Sequence, residues 1–158
     1  MKTSHRKSAK AKRHQRQANP FAAFDLIQKH SEAPNDKVVQ IVAEVRKCYD
    51  YLRNSGRSYE KFSIVAGAIN VALIRAEKID PQAEETMKLA VEAMCNAAAR
   101  KEKTGHYGFN GPELAHMENG LDLYAQIFGL STMGQMDEAA NEVMRRMNKQ
   151  AKAEGVTL

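Results

Sequence analysis

Apolar side chains recur at three- and four-residue intervals along most of this chain, and no run shows the two-residue period of a half-buried strand. Val38, Ile41, Val42, Val45, Tyr49 and Leu52 share one helical face, which closes before Asn54-Ser55-Gly56. Residues 38–42 alone also fit a strand, but the helical recurrence extends over about fifteen residues, which favours helix. A helix over 58–78 carries Phe62, Val65, Ile69, Leu73 and Ala76, while Ala66, Gly67, Ala68 and Ala72 leave a small-residue surface for a close neighbour. Asp80 and Pro81 are cap and first-turn residues, Glu84 and Glu85 complement the helix dipole, and Met87, Ala90, Val91, Met94 and Ala98 follow as a stripe. Two alanines in that stripe admit a close neighbour.

Pro112 opens a helix with Leu114, Met117, Leu121, Tyr124 and Phe128 on one face. Leu123 and Ile127 widen that face, so this helix is expected to be the most buried. Ser131 or Thr132 caps a last helix, and the chain is expected to fray over 149–158. Upstream, Asn19 and Pro20 begin a short helix bearing Phe21, Phe24 and Ile27, and residues 30–35, with Pro34, break the chain. The expected fold is all-α: a compact bundle of about five to six helices over residues 19–150. A basic arm, 1–18, precedes it and a frayed tail, 151–158, follows.

The 158 residues suit one domain, and 43% hydrophobic content is enough for a core built from aliphatics, Ala and Met, there being no Trp. The net charge of +5 is unevenly placed. Residues 1–17 hold Lys2, Arg6, Lys7, Lys10, Lys12, Arg13 and Arg16 and no acid, or +7, which leaves −2 for residues 18–158. Such a segment buries nothing and is expected to be disordered when free. No stretch reaches the length of about 18 apolar residues that a membrane span needs. A secretory signal lacks its apolar core, and a transit peptide lacks its amphipathic face. Cys48 and Cys95 have no metal-type spacing and read as buried, reduced thiols of a cytoplasmic protein.

A flexible cationic arm gains most from a polyanion, because each neutralised phosphate releases condensed counterions. The arm is therefore the candidate contact for nucleic acid, DNA or RNA, and it implies no base reading. Arg100, Lys101 and Lys103 are candidates to extend that surface. They precede Gly105, Gly108 and Gly111, with His106, Tyr107 and Phe109 between. Cations beside aromatics suit single strands, whereas the glycines also serve as a helix cap and a connection. From 104 to 144 the chain has no Lys or Arg and six acids, a −6 block largely explained by helix starts.

Met133, Met136, Met144 and Met147 form a seam that is either a partner or homodimer face or, more simply, packing against the helices over 80–103 and 112–128. Glu113 and His116 make a single Glu-x-x-His step, where a two-metal site needs two such steps. No nucleotide-binding, nucleophile or zinc motif is present. The expectation is a non-enzymatic protein, without metal or cofactor, that binds nucleic acid or a ribonucleoprotein through its arm. The alternative is a protein-interaction module, an accessory or inhibitor of a host machine, acting through the last two helices.

Overall fold

The computed structural model describes residues 34–155. The basic arm, the expected helix from Asn19 to Ile27 and the final residues 156–158 lie outside the described residues. Five helices run in order: α1 (Pro34–Arg53), α2 (Tyr59–Glu77), α3 (Pro81–Thr104), α4 (Gly111–Leu130) and α5 (Met133–Ala153). No strand occurs among the described residues, and none of their helices is long and apolar enough to cross a membrane. The fold is an all-α bundle.

Local chemistry sets the helix ends. Pro34 belongs to the first turn of α1, where its missing N–H is no loss, so the expected break at 30–35 gives way to helix at that residue. Ser58 Oγ accepts from the Lys61 N–H at 3.3 Å, and Asp80 Oδ2 from the Ala83 N–H at 3.0 Å. Gly105 closes α3 at φ +84°, a left-handed conformation, and its N–H reaches the Lys101 carbonyl at 2.9 Å. Asn110 with Glu113, and Thr132 with Gln135, form reciprocal capping boxes. Thr132, then, is the cap of α5. Ser131 accepts a hydrogen bond from Arg75 instead.

Short connections make successive helices α1 to α4 antiparallel. The most buried helix is α2, not α4 as the sequence suggested. Eleven residues of α2 are buried, and it touches α1, α3, α4 and α5. The reason lies in residues outside its main stripe. Ile64, Val71 and Ile74 are buried along with Val65 and Ile69, and Gly67, Ala68, Ala72 and Ala76 let neighbours approach between them. The α5 helix rests mainly on α2 rather than on α3 and α4, burying Met136, Ala139, Ala140 and Val143. It also outlasts the expected fraying point, reaching Ala153 with Ala151 buried. Cys48 is buried, whereas Cys95 is exposed, contrary to the expectation for both thiols; neither is in a disulfide. Burial pushes the Cys48 thiol up to about 11.

Candidate functional site

One end of the bundle gathers the α1–α2 and α3–α4 connections. The Tyr107 N–H donates to the Gly56 carbonyl at 2.9 Å, tying two segments that lie about fifty residues apart in sequence. Tyr107 then stacks on Phe62 with ring centroids 4.5 Å apart and planes 7° from parallel. Phe109 meets Tyr49 edge-on at 5.6 Å. Both loop aromatics are therefore committed to the core, and neither is presented for a base to stack on.

Behind the loop sits a polar network that the sequence reading missed. Glu113 is only 5% exposed. Its carboxylate accepts from both terminal nitrogens of Arg100, one at 2.9 Å, from the Asn96 amide at 3.0 Å and from the Asn110 N–H at 2.9 Å. Arg100 also donates to the Gly108 carbonyl at 2.9 Å. The Arg100 guanidinium holds the Glu113 carboxyl below the usual carboxylate range, with the Asn110 and Asn96 bonds adding to it against the opposing effect of burial. Asn110-x-x-Glu113 has capping-box spacing and was legible in sequence; the Arg100 partnership was not.

The seven arm cations, Lys2, Arg6, Lys7, Lys10, Lys12, Arg13 and Arg16, lie outside the described residues. Of the basic shoulder, Arg100 is occupied by Glu113 and Gly108, and it braces the loop. The Lys101 ammonium sits 5.9 Å from the Tyr107 ring centroid, and Lys103 is exposed. The fold adds two cations that sequence did not group with them. Arg57 is exposed beside Gly56, and Lys61 stands over the Tyr51 ring at 5.5 Å. The described residues begin at Pro34, at the other end of α1 from Gly56, and a twenty-residue helix is about 30 Å long.

The methionine seam divides in the same way. Met136 is fully buried, and Met144 and Met147 are half-buried, Met147 against the core. Met133 is 42% exposed and follows Leu130, at 85% the most exposed large hydrophobic residue among those described. Val39 and Ile79 are exposed at this end too. The acidic block is largely neutralised by cations, most of them on other helices. Arg46 bridges Glu118 and Asp122, Arg53 reaches Glu118 at 3.3 Å, Lys78 reaches Glu138 at 2.8 Å, and Arg146 links Glu142 to Glu77. Asp137 alone of the six acids makes no ion pair among the described residues.

No three His, Cys, Asp or Glu side chains among the described residues are grouped to hold a metal ion. His116 is half-buried on α4. Comparison with protein families, curated proteins and solved structures finds no match, so the residues themselves must carry the functional argument.

Proposed function

We propose that this chain is a non-enzymatic nucleic-acid-binding protein whose N-terminal residues 1–17 hold phosphate backbone without reading bases. The observation that carries the reading is the charge partition: +7 in seventeen residues, against −2 in all the rest. The bundle supports it by engaging part of its own positive charge internally. Arg46, Arg53, Lys78, Arg100, Arg145 and Arg146 are each held by carboxylates of the same chain. The arm has no such internal acids in its own sequence. Its ligand is DNA or RNA, free or in a ribonucleoprotein, met in the cytoplasm, where both thiols stay reduced.

Deleting residues 1–17 tests the proposal. Seven phosphate contacts give a slope of log affinity against log salt of about −5 to −6. The deletion should weaken binding and remove the arm's share of that slope while the helical circular-dichroism spectrum is kept. Undiminished affinity in the deleted chain sinks the reading. A second reading, a protein-interaction module, is favoured by one observation: the exposed Leu130 and Met133 at the α4–α5 junction. In that reading a protein partner or a second copy covers the junction.

A further inference from the structure

We infer that the loop end of the bundle is a second nucleic-acid site, selective for single strands, in which Tyr51 stacks a base and Arg57, Lys61, Lys101 and Lys103 hold the adjoining phosphates. It rests on the reading above only in taking nucleic acid as the ligand. Tyr51 lies in the last turns of α1 and is 42% exposed, the only aromatic among the exposed large hydrophobic residues described. Its ring is fixed from beneath by backbone. A Cβ on Gly56 would fall 2.4 Å from ring atom Cε1, so the tyrosine lies directly against that glycine. Its hydroxyl accepts from the Arg57 N–H at 3.3 Å. The platform is therefore held in place before any ligand arrives, which lowers the ordering cost of binding.

The cations are placed by the fold. Lys61 already stands 5.5 Å from the Tyr51 centroid. The Tyr107–Gly56 hydrogen bond and the Tyr107–Phe62 stack bring the end of α3, with Lys101 and Lys103, alongside the segment that carries Arg57. Glu60 and Glu102 are the exposed acids nearest them in sequence, so the four cations outnumber these two carboxylates. An incoming base takes the place of the Lys61 ammonium over the ring, and the freed ammonium pairs with the neighbouring phosphate. Only an unpaired strand can offer its base face this way; a duplex keeps its bases stacked inside and can use the cations alone.

The test uses the full chain and fluorescence anisotropy with a labelled oligonucleotide of about ten nucleotides, single-stranded or annealed to its complement. Replacing Tyr51→Ala should weaken single-strand binding about tenfold and leave duplex binding unchanged, while Tyr51→Phe keeps both. The combined Arg57→Gln, Lys101→Gln and Lys103→Gln chain should lower the salt slope for the single strand by about two. Because Arg57 and Lys103 are exposed and Lys101 is only half-buried, this variant reads the site even if Tyr51→Ala unfolds. Equal single-strand affinity in Tyr51→Ala and wild type, or an unchanged salt slope in the triple variant, overturns the inference. A further full chain with all seven arm cations changed to Gln separates the two ideas. Single-strand preference that survives there, and still depends on Tyr51, supports this site; overall affinity equal to wild type in that chain counts against the arm. Binding lost there, with Tyr51→Ala indistinguishable from wild type in the intact arm, removes this site and leaves the arm.

Discussion

Glu113 shows how a residue's role depends on neighbours that its own position does not reveal. As an acid in the first turn of a helix it reads as a dipole partner; in the bundle it is the buried anchor of Arg100, Asn96 and the Asn110 N–H. Its carboxyl is held below the ordinary carboxylate range by those donors, Arg100 foremost. A depressed carboxylate stabilises the fold fully above its unfolded value, and that stabilisation is lost as pH falls through the folded one. Glu113→Gln keeps the shape and removes the charge. It should melt at a lower temperature than wild type at pH 7, and the gap should close as the solution is acidified below about pH 4. Thermal melts at a series of pH values check this; a gap independent of pH refutes it. Glu77, Glu138 and Glu142 are also held low by hydrogen bonds from Arg146 or Lys78, so the comparison must be the difference between the two chains.

Among the elements, α3 and α4 approach closely at Gly120. A Cβ on Gly120 would fall 2.6 Å from the Ala90 Cβ and 3.6 Å from Ile69 Cδ1. The Ala90 methyl is fixed to the backbone of α3, so the helices themselves must separate to admit an extra methyl group. Gly120→Ala gains about 1 kcal/mol in helix propensity and loses about 1–3 kcal/mol to overpacking, with the loss prevailing at so short a distance. Urea unfolding should therefore show a net destabilisation of about 1 kcal/mol. Combined with Ala90→Gly, the two changes should be more stable than their sum by about 0.5 kcal/mol or more; strict additivity would show that the two positions do not meet. The alanines of the α3 stripe announced this close approach in the sequence. Its partner at Gly120 did not, because a lone glycine within a helix pattern has several uses.

At the scale of the molecule, the bundle has two unlike ends. The connections around Gly56 and Tyr107 carry Tyr51 and four cations, whereas Leu130, Met133, Ile79 and Val39 lie exposed where α4 gives way to α5 and α1 begins. If a second copy covers the apolar end, Leu130→Glu with Met133→Glu should abolish concentration-dependent sedimentation without lowering the melting temperature. Wild type that sediments as a monomer at every concentration removes the homodimer. Met136 is unsuitable for such a test, because it is fully buried and its charged variant would unfold α5 from α2.

The sequence by itself determined the helical class, most helix boundaries and the separation of charge between arm and body. These depend on residues within one or two turns of each other, as in Asp80 with Ala83 or Thr132 with Gln135, and on simple counting. The all-round apolar character of α2 was also written there, in Ile64, Val71 and Ile74, although the dominant stripe obscured it. Only the tertiary structure decided which charges are already spent and which aromatic is exposed. Arg46 finds Asp122 across 76 positions, Tyr107 turns inward onto Phe62, and Tyr51 is left at the surface. Those outcomes follow from pairings between distant segments, which hydrophobic spacing along one helix does not encode.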